Sequence, residues 1–400
     1  MSKRLSNNPD FNESTGDFRP LVMHMVYRFA IGGLENGVVN LINRMDSAFC
    51  RHMVVSITEC DETFCRRVKH SDVIFHSLHK GMGHGYKIYP LLYRLFREYR
   101  PAILHTRNLA ALETVVPAWV ARVPVRIHGE HGWDVNDPGG TNARYSLMRR
   151  LYRPFVHHFI GLSEQIAYYL GHNVGVKPKR LTRICNGVDT TRFRPVNGDR
   201  AVLADSPFNA PHLIIMGTVG RLSAIKDQIT LVRAFAEARK QAGEELSRLR
   251  LIIAGDGSLR NEIEKEISIH DLSPYVWLAG ERSDVSSLMQ TFDFFVLPSL
   301  AEGISNVILE AMASGLAVVA TDVGGNAELV IEDKTGSLVP ARDPVAMASA
   351  ITRLAVNASK REQLGKTARM RIEAEYSLDG MVGHYMRLYQ SLMDNKGNAD

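Results

Sequence analysis

Cysteine is scarce in this 400-residue chain, and its four copies, Cys50, Cys60, Cys65 and Cys185, form no Cys-x-x-Cys pair. Neither a disulfide framework nor a zinc spacing is supported, so reduced thiols in a cytosolic protein are the expectation. No run of 18 apolar residues occurs, and a membrane-spanning helix is not expected. The opening MSKRLSNNPDFNESTGDFRP has no apolar core, which argues against a signal peptide and reads as a disordered tail over residues 1–19. Gly-x-Gly-x-x-Gly is missing as well: Gly81-x-Gly83-x-Gly85 has the wrong spacing, so a dinucleotide-binding oxidoreductase would lack its phosphate turn.

What is present is globular. Apolar residues make up 45% and charged residues 23%, and the length exceeds one ordinary core, so two domains are expected. The net charge of +5 hides an asymmetry: residues 1–195 carry a formal +11 and the remainder −6. A basic first half suggests an anionic surface or acceptor, and a merely solvated basic face is the other reading.

Strand-like runs at 21–26, 52–57, 73–78, 102–106, 125–131 and 156–162 alternate with helical patterns. That alternation predicts parallel strands with crossover helices, with active residues at the strand ends. Gly32-Gly33 follows the first strand and opens a helix, where backbone can approach a phosphate or simply turn. The third strand is followed by Gly81-Met82-Gly83-His84-Gly85, the fourth by Arg107 and Asn108, and the fifth by His128, His131 and Asp134. His131 falls just beyond its strand, where a side chain can enter a ligand site; a structural histidine is the alternative for it, as for His128.

Two segments, 86–97 and 144–153, mix Arg or Lys with aromatic and aliphatic residues at helical spacing. They suit peripheral membrane helices or ordinary helices packed on the sheet. Thr190 to Asp205 is polar and contains Pro and Gly, as a linker would. A second alternation follows, with strands at 213–219, 250–254, 275–279, 293–297 and 317–321.

Within it, the apolar run 294–297 leads through Pro298-Ser299 into Glu302-Gly303-Ile304-Ser305-Asn306-Val307-Ile308-Leu309-Glu310. The spacing predicts strand, loop and a helix from 304, with Glu302 before it and Glu310 inside. The amides of Ile304, Ser305 and Asn306 would then meet a phosphate at a helix N-terminus, leaving one carboxylate for a sugar and one for ribose hydroxyls. Arg221 and Lys226, in the loop after the strand at 213–219, supply a guanidinium fork and a mobile point charge. Gly255-Asp256-Gly257 closes the next strand in a tight turn. No Asp-x-Asp exists to hold a divalent ion on a diphosphate, so these cations and the helix start are expected to stabilise its charge without metal or other cofactor.

From Gly217-Thr218-Val219-Gly220-Arg221-Leu222 through Lys226-Asp227, Gly255-Asp256-Gly257, Leu297-Pro298-Ser299, Glu302 to Glu310 and Ala320-Thr321-Asp322-Val323-Gly324-Gly325, the second half resembles glycosyltransferase family 4. The resemblance spans roughly residues 20–390 and implies an α/β GT-B fold, two facing Rossmann-like doubly wound domains with a cleft between them. It implies domains at 20–192 (acceptor side) and 193–374 (nucleotide-sugar side), with residues 375–400 crossing back to the first. By position, Glu310 would bind ribose hydroxyls, Glu302 the transferred sugar, Arg221 and Lys226 the diphosphate with Gly303 to Asn306, and Arg282 the base. Gly32-Gly33 would approach the diphosphate when the domains close, and His131, or else His128, would bond the donor sugar. His84, Arg107, Asn108 and Asp134 remain as acceptor-side candidates. Ala317 stands where the family commonly has Pro.

The resemblance further implies retention of anomeric configuration and a nucleoside-diphosphate sugar donor. The acceptor would be a saccharide or lipid-linked saccharide, with a peripheral contact to an anionic membrane surface at the inner face as an open question and no nucleic-acid partner. A GT-B nucleotide-sugar epimerase and a non-catalytic nucleotide-sugar-binding protein are the competing readings. Base, sugar and linkage stay open.

Overall fold

The short apolar runs of the sequence become strands, fully buried in the middle of each sheet and half-buried in β3 and β10 at one edge, and every pairing between named strands is parallel. The computed structural model describes residues 17–81, 83–133, 137, 139–198, 200–241 and 243–397. Their contacts divide the chain into two units, the first running to Ile184 and resuming at Val382, the second running from Cys185 to Met381.

In unit 1 the strands are β1 Leu21–Val26, β2 Arg51–Ser56, β3 Ile74–Ser77, β4 Ile103–Arg107, β5 Val125–Glu130, β6 His158–Gly161 and β7 Leu181–Arg183. They lie in the order β3-β2-β1-β4-β5-β6-β7. Unit 2 holds β8 Ile214–Val219, β9 Leu249–Ala254, β10 Val276–Gly280, β11 Phe294–Leu297, β12 Ala317–Thr321 and β13 Gly336–Val339, ordered β10-β9-β8-β11-β12-β13. Both are doubly wound, with order reversing between β1 and β4 and between β8 and β11; crevices outside the strand ends at such points are where ligands bind in open α/β sheets.

Two strands escaped the sequence reading. β7 is three half-exposed residues, and β13 is a four-residue run opening on Gly, so neither carries the long apolar signature of a central strand. The expected linker is also no free tether. Arg369 donates to the carbonyls of Thr190 and Phe193 at 3.0 and 2.7 Å, and Arg200 meets Asp293 at 2.5 Å. Polar composition here reflects surface exposure, not looseness. Of the expected tail, residues 1–16 lie outside the described residues, while Arg19 is held by Asp17 and Asp72.

Cores form where helices cover the sheets. In unit 2, helix Gln228–Arg239 packs on helix Pro344–Ala355, burying Leu231, Val232 and Phe235 with Met347, Ile351 and Leu354. In unit 1, helix Tyr89–Tyr99 buries Leu92, Leu95 and Phe96 against Met23, Met25 and Leu104 of β1 and β4. The opposite side of that helix, with Tyr93, Arg94 and Arg97, is exposed.

Candidate functional site

In unit 2 the loops leaving β8 and β11 meet at the reversal of strand order. The Leu300 amide donates to the Ile225 carbonyl at 2.8 Å, joining them. Across that junction Lys226 Nζ lies 2.5 Å from Glu302 Oε1, and Ser299 Oγ donates to the same oxygen at 2.6 Å. The predicted phosphate lysine and sugar carboxylate are therefore each other's counter-ion. Arg221 stands exposed, with no ion pair among the described residues.

The helix begins at Asn306, later than the expected 304, with Ser305 as its extended N-cap residue. The Ser305 hydroxyl makes no capping bond; it is buried and has no partner. Asn306 Oδ1 accepts from Asn186 Nδ2 at 2.8 Å, so its side chain is already oriented. Glu310, about one turn further in, is largely removed from water, and burial pushes its carboxyl up to about 7 against the partial opposition of Arg192. Near neutral pH it therefore exchanges between acid and carboxylate.

Two glycine turns brace this arrangement. Gly255 has φ +130°, and a side chain there would place Cβ 2.0 Å from the Gly220 carbonyl oxygen, so only Gly lets the β9 loop seat on the β8 loop. Its backbone then exchanges bonds with that loop, Gly220 to Ala254 at 2.9 Å and Leu222 to Asp256 at 3.0 Å. After β12, Gly324 has φ +55° and a Cβ would fall 1.8 Å from the Glu302 carbonyl oxygen; Gly325 is likewise closed by Gly303. Thr321 Oγ1 donates to the Ser299 carbonyl at 2.5 Å, fixing the same loop. The Thr321–Gly325 segment supports Glu302 from below, a role that only its glycine pair after a strand hints at in the sequence.

Arg282, expected at a base, is placed after the edge strand β10. It is clamped by Asp284 at 2.6 Å and by Asp205, and its guanidinium lies 5.6 Å from the Trp277 ring centre. Its fork is engaged with these carboxylates, and among the described residues it makes no hydrogen bond or ion pair with Lys226 or Glu302.

In unit 1 the corresponding strand ends are sealed. Arg107, an acceptor-side candidate, is only 3% exposed: its side chain turns back among the strands. Its Nη1 is 3.0 Å from His24 Nδ1, and it bonds the Tyr389 hydroxyl. A guanidinium can only donate, so His24 Nδ1 accepts and its proton sits on Nε2, facing His52 Nδ1 at 3.0 Å. The His52 proton then sits on Nε2, 3.6 Å from Cys50 Sγ, and the thiol donates to Met45 Sδ at 3.5 Å. On the other side, Tyr389 accepts from Arg107 and so donates to His105 Nδ1 at 2.7 Å. One buried cation thus sets the tautomer of three imidazoles. Burial holds His24 and His105 well below the usual histidine range and His52 at about 4. Among the described residues, no three His, Cys, Asp or Glu are grouped to hold a metal ion.

His128 and His131 differ sharply. His128 has both nitrogens engaged, Nδ1 with Thr106 Oγ1 at 2.8 Å and Nε2 with Glu130 at 3.1 Å. Glu130 is in turn held by Arg149 at 2.5 Å. His131 stands just beyond β5, and its Nε2 has no partner. Its ring is held down at about 3, mainly by burial and then by Arg107. Asn108 is not open to an acceptor in the way expected: at φ +57° it turns its Oδ1 to the His131 amide at 2.7 Å and positions that residue. Gly32 precedes helix Gly33–Arg44, but the Glu35 carboxylate folds over it, within 2.1 Å of where a Cβ would lie. Phosphate approach there would require Glu35 to move. His84 is exposed and stacked on Tyr86, and Asp134 lies outside the described residues.

Comparison with known proteins adds to this geometry. The family described as Glycosyltransferase Family 4 matches residues 31–192, and that described as Glycosyl transferases group 1 matches residues 214–357. An Escherichia coli UDP-Gal:alpha-D-GlcNAc-diphosphoundecaprenol alpha-1,3-galactosyltransferase is 25% identical over 76% of this chain and 79% of its own. The Rhizobium leguminosarum lipopolysaccharide core mannosyltransferase LpcC is 30% identical over 54% of this chain and 61% of its own. Bacillus subtilis EpsF is 31% identical over 51% and 53% respectively, so the chain spans about half the length of several relatives it matches. In fold, Anabaena HepE, solved with UDP and glucose, superposes with a TM-score of 0.79 over 93% of this chain and all of its own at 19% identity. A Rickettsia africae glycosyltransferase gives 0.77 over 95% and all of its own at 17%. The chain therefore consists of two Rossmann-like units of GT-B type, the first matching the family described as Glycosyltransferase Family 4 and the second that described as Glycosyl transferases group 1.

Proposed function

We propose that this chain is a retaining glycosyltransferase that moves a sugar from a nucleoside-diphosphate sugar to a saccharide or lipid-linked saccharide, on the cytoplasmic side, in bacterial cell-surface polysaccharide synthesis. The observation that carries the reading is the junction of the β8 and β11 loops, where Lys226, Glu302, exposed Arg221 and a helix N-terminus converge. The names of the relatives, transferases of capsule and lipopolysaccharide synthesis, support the same class.

In the reaction the bond from the anomeric carbon to the phosphate oxygen breaks, and a bond to the acceptor oxygen forms on the same face. The acceptor proton passes to the departing phosphate. Arg221 and Lys226 carry the charge that develops on the diphosphate, so no metal is required. Glu302 orients the sugar, Glu310 the ribose, and His131 contributes its unpaired Nε2 to the transferred sugar, as the family pattern assigns.

A thermal-shift panel of UDP-, GDP- and ADP-sugars tests the donor, because a ligand bound only by the folded chain raises its midpoint by mass action. A shift with one base, kept in EDTA and lost in Glu310→Ala, is expected. Transfer followed by NMR of the product anomer tests retention. Epimerised sugar nucleotide without acceptor, or binding without turnover on any saccharide or lipid-linked acceptor, would overturn the transferase reading.

A further inference from the structure

Two of the four cysteines form a cluster that the donor chemistry does not use. Cys60 and Cys65 bracket the short helix Glu62–Cys65, whose N-cap Asp61 accepts the Phe64 amide at 2.8 Å. Cys60 is the residue before that cap and Cys65 the fourth helical residue, the two positions whose side chains meet across a helix start. An apolar pair is usual there. Here the pair is two thiols, and the Cys65 S–H donates to Cys60 Sγ. Both are free and half-buried, within reach of small solutes.

The surroundings hold the two sulfurs together. Phe64, between them in sequence, is buried in a small core with Val39 and Ile42, its ring 5.0 Å from that of Phe29. The Cys65 amide donates to the Asp61 carbonyl at 2.9 Å, and the Cys60 amide to Ser77 Oγ of β3 at 2.9 Å. On either side of Cys60 the chain is bonded to the loop after β1: the Phe29 amide donates to the Glu59 carbonyl at 3.0 Å, and the Asp61 amide to the Phe29 carbonyl at 2.8 Å. Sulfurs kept in contact by so fixed a backbone need only a small side-chain rotation to bond.

The thiols are unequal. Burial pushes Cys65 up to about 12, and the Cys60 sulfur and the carboxylates of Asp61 and Glu62 add to this. Burial raises Cys60 too, but there hydrogen bonds from the Ser77 hydroxyl and the Cys65 thiol oppose it, as they would support a thiolate. Cys60 is therefore the attacking sulfur and Cys65 the resolving one.

We propose that Cys60 and Cys65 are a reversible thiol–disulfide pair, oxidised by small disulfides, whose closure covalently staples the start of helix Glu62–Cys65. The Cys60 thiolate attacks one sulfur of a disulfide RSSR, whose S–S bond breaks to release RS⁻, and a mixed disulfide forms. Cys65 gives up its proton and attacks the Cys60 sulfur, expelling the second RS⁻. Two protein thiols and RSSR thus become one internal disulfide and two RSH, and excess thiol runs the exchange backwards. In a reducing compartment such a bond is transient and reports redox state. The pair stands apart from the donor and the reaction.

The native full chain is incubated with 2-hydroxyethyl disulfide, its remaining thiols are alkylated, and it is digested with trypsin. Residues 52–66 carry both sulfurs in one tryptic peptide, so closure reads as the loss of two hydrogens, reversed by dithiothreitol. Only a thiolate attacks, so closure should quicken about tenfold per pH unit between 7 and 9. Cys65→Ser should stop at a mixed disulfide on Cys60, while Cys60→Ser should leave Cys65 reacting about tenfold more slowly. The oxidised parent should melt about 4 °C or more above the reduced one, a rise absent in Cys65→Ser, because a cross-link restricts the unfolded chain. The nucleotide-sugar shift of the reduced chain should be the same in parent and variants, which shows that the variants fold. Mixed disulfides at both positions without internal closure, closure only in denaturant, or an oxidised midpoint at or below the reduced one would overturn the inference.

Discussion

The two units share one topology yet treat the same position in opposite ways. Where strand order reverses in unit 2, Arg221, Lys226 and Glu302 stand at the strand ends with charge still accessible. In unit 1 the strand ends on either side of the reversal deliver Arg107 into a buried nest of neutral imidazoles and a phenol. A doubly wound sheet offers the crevice; the side chains decide whether it becomes a binding surface or an internal scaffold. Unit 2 should therefore fail by losing ligand, and unit 1 by losing stability.

The sharpest break of that contrast is in unit 2. Lys226→Ala should lower kcat/KM by about 10²–10³, the scale for removing one group that stabilises developing charge, while the melting midpoint of the unliganded chain moves little. Transfer kinetics beside thermal melts would show it; a large stability loss would mean that the Lys226–Glu302 pair is mainly structural. In unit 1, Arg107→Leu should destabilise by about 3 kcal/mol, because His24 and Tyr389 lose their buried partner. Denaturant unfolding measures this, and an unchanged midpoint would contradict the tautomer chain. Gly324→Ala lies between, adding strain at φ +55° and forcing the Glu302 loop outward. About 1–3 kcal/mol of stability and a raised donor KM are expected together.

Acidity sharpens the comparison further, because the units should respond with opposite sign. His52 and His131 sit at about 4 and about 3 when folded, below the unfolded value of 6.5. The unfolded chain thus binds more protons, and stability from unit 1 is lost as pH falls through 6.5 towards 4. Glu310 is raised to about 7 from 4.5, so it favours the folded state below 4.5 and weakens it as pH rises to 7. Glu310→Gln should raise the melting midpoint at pH 8, leave it unchanged at pH 4, and weaken nucleotide-sugar binding at both. A midpoint lowered at pH 8 would show that the carboxyl is not held neutral by burial.

Much of this was legible in advance. Parallel strands buried on both faces are near-continuous apolar runs, so nearly all of both sheets could be read directly. The spacing of Glu302 and Glu310 survives as loop and helix. What spacing does not carry is pairing between distant loops. Lys226 and Glu302, 76 residues apart, read as two independent ligand groups and stand as an ion pair. Arg107, at the end of a strand, was an acceptor-side candidate, whereas its partners, His24 and Tyr389, come from far away in sequence and draw it inward. Ser305, a good capping residue by type, makes no capping bond and leaves its hydroxyl buried without a partner, which residue type alone does not reveal.

Tyr389 belongs to helix Leu378–Gly397, whose first turn clusters with unit 2 and whose remainder, from Val382, clusters with unit 1. During synthesis, then, the ribosome finishes all of unit 2 before it releases the residue that completes the Arg107 nest. Unit 2 is contiguous and can condense as soon as it emerges. Unit 1 must wait, its charged centre unsealed, for the segment from Val382, made only after all seven of its strands and the whole of unit 2. A chain stalled or cut before Tyr389 should expose that centre, giving the cell a ready mark of an unfinished molecule.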